Sequence, residues 1–409
     1  MKKDLDNFFT PKSIAIIGAS ENPEKVGNTL LLKLWNYKGK IIPVNPQHPR
    51  VMGKQAYTSV LKYPEEIDLA IIAIPSTLVN SALEECGKKS IKNVIIISAG
   101  FSETGNNELE NQLVETAKKY SIKILGPNCF GVTNPSEELD TTFANSKTKK
   151  GSIAFVAQSG ALWSYLADIN LPVSKYISLG NMASLEFTDF IKYLEEDKET
   201  KKIVLYIEKL KRGKEFIELC KKSKKEIVVI KAGKTEKGNE ATISHTASLA
   251  TDFKIYQSAF KQAKVKQVSS LSEAFGIKSD LPELIKEIKQ IKEPKISIIT
   301  NAGGAGALLT DLLGANKINV VNAPEDLIGT AIAKDYESAI NRELKTKRSN
   351  VILVLLTPQT MSQPLETAKA IIKINRTKKI IACFLGEKSI IESKELLKKN
   401  KISIYTKCI

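Results

Sequence analysis

SIAIIGASENPEKVG, residues 13–27, is an apolar run ending in glycine, then a polar turn, then a second glycine where a helix can begin. That pattern predicts a buried β-strand, Ser13–Ile17, feeding a helix over Gly27–Tyr37. Working outward, Lys40–Val44 reads as the next strand, and Asp68–Ile74, Asn93–Ser98 and Lys123–Leu125 follow it. Helices are expected near Thr77–Lys89 and Asn107–Tyr120. Short Ile- and Val-rich runs alternating with amphipathic segments predict an α/β fold, a parallel sheet covered on both faces. Such sheets bind ligands at the carboxyl ends of their strands. The loops expected to matter are therefore 18–26, 45–50, 75–76, 99–105 and 126–132.

The first of these loops opens like a dinucleotide fingerprint and then departs from it. Ala19 and Ser20 stand where Gly-x-Gly would need x and the second glycine. The second strand ends in Val44-Asn-Pro-Gln47, with no carboxylate to take a ribose diol. NAD is disfavoured. A hydroxyl, backbone amides and a helix start remain, which suit phosphate oxygens.

Two further α/β units follow. Strand Ser152–Ala157 runs into Gln158-Ser-Gly-Ala-Leu-Trp163, where Ser159 and Gly160 open a helix. Strands are expected at Lys175–Ser178, Ile203–Ile207, which delivers Glu208, and Glu226–Ile230. A charged helix and linker, Leu281–Pro294, leads to strand Lys295–Thr300 and the glycine-rich turn Asn301-Ala-Gly-Gly-Ala-Gly306. Glycine-rich turns between a strand and a helix cradle phosphate, although no Gly-Lys-Ser/Thr follows here. The units are expected at 1–145, 150–285 and 294–409.

Composition narrows the function classes. The net charge of +16 is spread over helix faces with acidic residues between, and aromatics make up only 6%. That pattern is a solvated surface rather than a nucleic-acid stripe. No apolar run is long enough to cross a membrane. The five cysteines are scattered, with no Cys-x-x-Cys pair, which points to a reducing, cytoplasmic setting and to no metal site. Cys129 reads as a buried thiol.

One of the two histidines, His245, lies in Ala241-Thr-Ile-Ser-His-Thr-Ala-Ser-Leu-Ala250. The segment 232–250 reads as a connection of about twenty residues after a strand, long enough to be functional. Strands Ile203–Ile207 and Glu226–Ile230 emerge at one sheet edge, which places Glu208 near this segment. The chemistry open to this pair is phosphoryl transfer. A neutral imidazole attacks phosphorus, and a carboxylate on its other nitrogen fixes the tautomer and offsets the developing charge.

Seven stretches, in order, carry a resemblance: IAIIGAS (14–20), IIPVNP (41–46), IIISAGFSETG (95–105), LGPNCFGV (125–132), VAQSGAL (156–162), SHTASLA (244–250) and TNAGGAGALL (300–309). Together they resemble the alpha subunits of ADP-forming acetyl-CoA synthetases, in the NDP-forming acyl-CoA synthetase superfamily that includes succinyl-CoA synthetase. The resemblance implies a Rossmann-like CoA-binding domain followed by two flavodoxin-like domains. It implies the interconversion of acyl-CoA, ADP and phosphate with carboxylate, ATP and CoA. It implies His245 as phosphoryl carrier oriented by Glu208, with Ser159, Gly160, Gly303, Gly304 and Gly306 holding phosphate. CoA is expected along Gly18, Ser20, Asn45, Pro46, Pro75, Phe101 and Asn128. Mg-ADP or ATP is expected on a separate ATP-grasp beta subunit, in an αβ or α2β2 assembly, with a small carboxylate as substrate. The alternative is a CoA-binding or acyl-CoA-sensing regulator without turnover; retention of both His245 and Glu208 favours the enzyme.

The chain departs from the pattern at Gln47, where lysine is usual, at Ala247, where glycine is usual, and at Ala305, where proline is usual. The stretch after Val321 is short, and Ile409 comes soon after a strand where the family has a closing helix, so a C-terminally shortened third unit is expected.

Overall fold

The computed structural model describes residues 2–246, 253–374 and 377–409, with side chains for 4–242, 253–374 and 377–409. Three predominantly parallel sheets follow one another along the chain. The first has the order Lys40–Val44, Ser13–Ile17, Leu69–Ile72, Asn93–Ile96, Lys123–Leu125. Every residue of Ser13–Ile17, Leu69–Ile72 and Asn93–Ile96 is buried, as strands covered on both faces require. Ile17 pairs with Val44 on one side and Ile72 on the other, so the winding reverses about this first strand. A crevice opens at such a switch point.

The second sheet runs Lys266–Val268, Glu226–Lys231, Lys202–Ile207, Lys150–Ala157, Val173–Ser178, and then two antiparallel strands, Val132–Asn134 and Leu139–Asp140. Those last two strands alter the first boundary. The sequence carries the first unit to residue 145, but the chain has crossed to the second sheet by Val132. The third sheet is built on Lys295–Thr300, Val351–Leu356 and Lys379–Phe384, with short strands at its edges.

The segment after Lys231 also differs from expectation. Glu236–Thr246 is helical, so most of the expected connection is a helix that carries His245 in its last turn. The imidazole lies outside the described side chains, and Ala247–Asp252 lie outside the described residues.

The units share cores. Phe9 stacks on Tyr193 at 4.8 Å between ring centroids, joining the first unit to the second. Burying one large apolar side chain of this kind contributes roughly 1.5–3 kcal/mol. A second apolar cluster runs from Trp163 and Tyr176 through Leu308 and Leu312 to Leu353, joining the second unit to the third. At the end of the chain, Thr406 N donates to the Asp280 carboxylate at 2.6 Å and Ser272 Oγ donates to Ile409 O at 2.8 Å. The third unit is thereby fastened to the second.

Candidate active site

The first sheet ends in a set of interlocked turns. Gly18 has φ +95, and a Cβ there would lie 2.4 Å from the carbonyl oxygen of Ala73. A Cβ on Gly27 would lie 1.9 Å from the Gly18 oxygen. Glycine at both places lets the first turn of helix Val26–Lys33 close onto the strand end. No side chain caps that helix, and the carbonyl of its cap residue Lys25 accepts from Asn28 N at 2.9 Å. Asn45 Nδ2 donates to Ala19 O at 2.8 Å, and Asn45 Oδ1 accepts from Gln47 N at 2.8 Å, which folds the turn containing Pro46 onto the first loop. Ser20 Oγ accepts from Asn22 N at 3.1 Å. Pro75 caps helix Ser76–Lys88, again without a side-chain cap. Ser98 joins the next two loops, accepting from Ile74 N through its hydroxyl at 3.1 Å and from Asn128 N through its carbonyl at 2.9 Å.

Gly18, Ser20, Asn45, Pro46, Pro75 and Asn128 therefore gather along one carboxyl edge. Phe101 differs from them: its ring is fully buried, so it serves the core, and only its backbone belongs to the edge. Cys129 is buried as well, and burial pushes its thiol up to about 12, which removes it as a nucleophile at neutral pH.

This edge runs into the second unit. Asn181 N donates to Pro127 O at 3.0 Å and Phe130 N donates to Ser178 Oγ at 2.8 Å. Phe130 then packs against Gly160, where a Cβ would sit 2.4 Å from Phe130 Cβ. Gly160 caps helix Ala161–Asp168 without a side-chain cap. Helix Gly303–Ala315 of the third unit begins directly opposite. A Cβ on Gly304 would lie 2.4 Å from both Cβ and Oγ of Ser159. Tyr206 OH fixes the contact by donating to Gly304 O at 2.9 Å. Two helix starts thus meet, and their positive ends favour an anion between them.

The third glycine of the loop plays another part. Gly306 N already donates to Ala302 O at 2.9 Å, so its amide is spent inside the helix and does not hold phosphate. Gly306 is small because Pro324 and Thr300 press on it, at 3.0 and 3.1 Å from where a Cβ would be.

Glu208 follows strand Lys202–Ile207 and is 6% exposed. Gln158 Oε1 accepts from Glu208 N and Lys209 N, each at 2.7 Å, so the residue before Ser159 sets the turn that aims Glu208. Ile207 pairs with Lys231 across parallel strands, which brings Glu208 beside the strand that leads to the His245 helix. That adjacency is as the sequence predicts.

Three residues were missed by sequence reasoning. Tyr206 ties the two helix starts together; burial first, and the Glu208 carboxylate second, hold its hydroxyl well above the usual tyrosine range, so it stays a donor. Asp311 binds the turn 233–235. Lys231 is buried, with its ammonium 4.5 Å from the centre of the Tyr256 ring. Only the run of Lys231-Ala-Gly-Lys-Thr235 after a strand hinted at the last two.

Burial lowers Lys231 from 10.5 to about 8, and the nearby Glu208 and Asp311 offset only part of that. Below pH 8 both folded and unfolded chains keep this proton, and the folded chain bears the full cost of a buried charge. Above pH 8 the folded lysine loses its proton while the unfolded one keeps it up to 10.5, so stability gains with rising pH. Relative to Lys231→Met, the parent chain is expected to gain about 2 kcal/mol between pH 8 and 9.5. Denaturant unfolding of both proteins at pH 7 and 9.5 measures it; parallel pH profiles would show that Lys231 does not titrate there.

Among the described residues no cluster of His, Cys, Asp or Glu is arranged to hold a metal, and no helix is long and apolar enough to cross a membrane.

Comparison with known proteins places the chain in a family. Residues 12–135 match the CoA binding domain family, and residues 150–279 match the succinyl-CoA ligase-like flavodoxin domain. The alpha subunit of ADP-forming acetate–CoA ligase II from Pyrococcus furiosus is 38% identical over 98% of this chain and 94% of its own length. The ADP-forming acetate–CoA ligase of Methanocaldococcus jannaschii is 41% identical over 98% of this chain, which spans 61% of that longer protein. Among solved structures, acetyl-coenzyme A synthetase 1 of Candidatus Korarchaeum cryptofilum, in complex with phosphate and ADP, matches with a TM-score of 0.64 and 32% identity, covering 100% of this chain and 94% of that one. Matched over nearly its whole length to an alpha subunit, with a CoA-binding domain leading into a ligase flavodoxin domain, the chain belongs to the alpha subunits of the ADP-forming acetate–CoA ligases.

Proposed function

We propose that the chain forms and breaks acyl-CoA through an acyl phosphate and a phosphorylated His245, passing the phosphoryl group to ADP held by a second subunit. The observation that carries this reading is the meeting of two helix starts, with Gly304 against Ser159 and Tyr206 bonded to Gly304 O. The CoA edge leads to that meeting point through Asn128, Phe130 and Gly160, and the strands bearing Glu208 and the His245 helix end beside it. CoA lies along Gly18, Ser20, Asn45, Pro46, Pro75 and Asn128, so the thioester end reaches the junction of the first and second units. Phosphate sits on the amides near Ser159, Gly160, Gly303 and Gly304. One helix start contributes about 0.3–1 kcal/mol to holding an anion, and up to ~2 when partly buried. Two such ends with charge-assisted amide bonds hold it more firmly.

Attack of phosphate on the thioester carbonyl expels CoA and leaves an acyl phosphate. His245 then takes the phosphoryl group and releases the carboxylate. Glu208 accepts a hydrogen bond from the proton-bearing ring nitrogen and offsets the charge on the ring. The phosphate and ADP in the Korarchaeum structure fit this use of substrates. The name of the Pyrococcus relative, an alpha subunit, supports a partner polypeptide, proposed as an ATP-grasp beta subunit carrying Mg-ADP. Acetate is the carboxylate that the relatives' names support, and the cytoplasm is the compartment that the free, buried cysteines suit.

The test is incubation with acetyl-CoA and labelled phosphate, with acid-labile label expected on His245; label on no histidine would overturn the reading. In the same assay Glu208→Gln is expected to lower the yield and lifetime of the phosphorylated form by about 10-fold or more, because the amide can still bond the ring but cannot balance its charge. Unchanged accumulation would reduce Glu208 to a strand-end residue.

A further inference from the structure

The helix that carries His245 is not held mainly by its own sheet. The parallel strand before it ends at Lys231, and the next turn is bound by the third unit. Asp311, 4% exposed, sits on helix Gly303–Ala315, eight residues beyond Gly303. Asp311 Oδ2 accepts from Gly233 N at 2.7 Å and from Lys234 N at 3.0 Å. Asp311 Oδ1 accepts from Thr235 N and from Thr235 Oγ1, both at 2.8 Å. Thr235 Oγ1 in turn accepts from Gly238 N at 3.1 Å, which makes it the side-chain cap of helix Glu236–Thr246. The cap and the carboxylate are one unit.

The surrounding residues fit this clasp and nothing larger. A Cβ on Gly238 would lie 2.0 Å from Asp311 Oδ1, and a Cβ on Gly314 would lie 2.9 Å from Thr235 Cγ2. The helix starting at Gly303 therefore performs two tasks. Its first turn faces Ser159, and its third turn grips the base of the segment that ends in His245.

Resting on the phosphohistidine reading above, we propose that Asp311 is a positioning residue for phosphoryl transfer, fixing the His245 helix relative to the helix start at Gly303. Both ends of the transfer are then referenced to one rigid rod. The clasp acts at residues 233–235, and His245 lies ten residues further along, roughly 15 Å by helical rise. A small tilt at the base is amplified at the far end, and a misplacement of about 1 Å at a reacting atom costs on the order of 10²-fold in rate.

The experiment uses the chain with its beta subunit, acetyl-CoA and labelled phosphate. The readouts are the rate of acid-labile labelling at His245, the KM for acetyl-CoA, and thermal stability. Asp311→Asn turns an amide NH2 toward backbone donors and breaks half of the clasp. Its labelling is expected to slow about 10²-fold with KM for acetyl-CoA unchanged. Thr235→Val loses the cap hydroxyl and slows labelling, whereas Thr235→Ser restores it; this pair carries the test if Asp311→Asn does not fold.

Asp168→Asn is the control. Asp168 makes a similar clasp between the second and third units, accepting from Glu387 N at 2.7 Å and Ser389 N at 3.1 Å, but it does not touch the His245 segment. That variant is expected to lose stability and keep the wild-type labelling rate. Wild-type labelling by Asp311→Asn, or equal slowing by Asp168→Asn, would overturn the positioning role. A wild-type enzyme that takes no label at His245 would overturn the reading beneath it, and the inference with it.

Discussion

His245→Ala is expected to abolish ATP synthesis and acid-labile labelling while CoA binds as before. The residue lies in the last turn of helix Glu236–Thr246, in the second unit, whereas the proposed CoA edge is formed by the carboxyl ends of the first sheet. Alanine is the best helix former, so the substitution leaves the helix itself intact. What disappears is the only nitrogen proposed to take the phosphoryl group, and removing a nucleophile costs on the order of 10⁴-fold or more. Equilibrium binding of CoA, together with ATP formation by the chain plus its beta subunit, separates the two effects. Full synthesis by the variant would remove His245 from the mechanism. A parallel loss of CoA affinity would instead show that the segment supports the first unit.

How much of this was legible beforehand follows from where the determining contacts lie. Strand Ser13–Ile17 was readable because a buried parallel strand needs only a short run of apolar residues and a glycine to end it. The sheet edge was readable for the same reason, since strand ends fix the loops. The helix at 236–246 was not. Glu236-Lys-Gly-Asn-Glu-Ala-Thr-Ile-Ser-His-Thr246 has little apolar periodicity, a glycine and two threonines, all poor helix signals. It is helical because Thr235 caps it and Asp311 holds that cap, and Asp311 lies 76 positions away along the chain. No local pattern announces a partner at that distance. Gly306 shows the converse. In sequence it is equivalent to Gly303 and Gly304, but three residues of helix are enough to turn its amide inward onto Ala302. Strands Val132–Asn134 and Leu139–Asp140 were invisible because three and two residues carry no period.

The chain alone is expected to make no ATP above background when given acetyl-CoA, phosphate, magnesium and ADP, and to make it once a beta subunit is added. The sequence offers one stretch that superficially argues otherwise. Gly233-Lys234-Thr235 follows a strand and precedes a helix, as the end of a P-loop does. Two observations remove it. Val228 stands where the first glycine of that motif would have to be. The amides of Gly233, Lys234 and Thr235, which in a P-loop would cradle phosphate, all donate to the carboxylate of Asp311. A site already filled by a protein anion does not take a nucleotide's phosphates. The turn at Gly303, set against Ser159, is proposed to hold the transferred phosphate, and the turn at Gly18 belongs to the proposed CoA edge. Each of these turns thus has an occupant, observed or proposed, which supports the proposal that ADP is held by a second subunit. ATP formed at full rate by the chain alone would overturn the two-subunit reading. Restoration by a beta subunit with wild-type His245, and not with His245→Ala, would show that the phosphoryl group crosses between subunits through this residue.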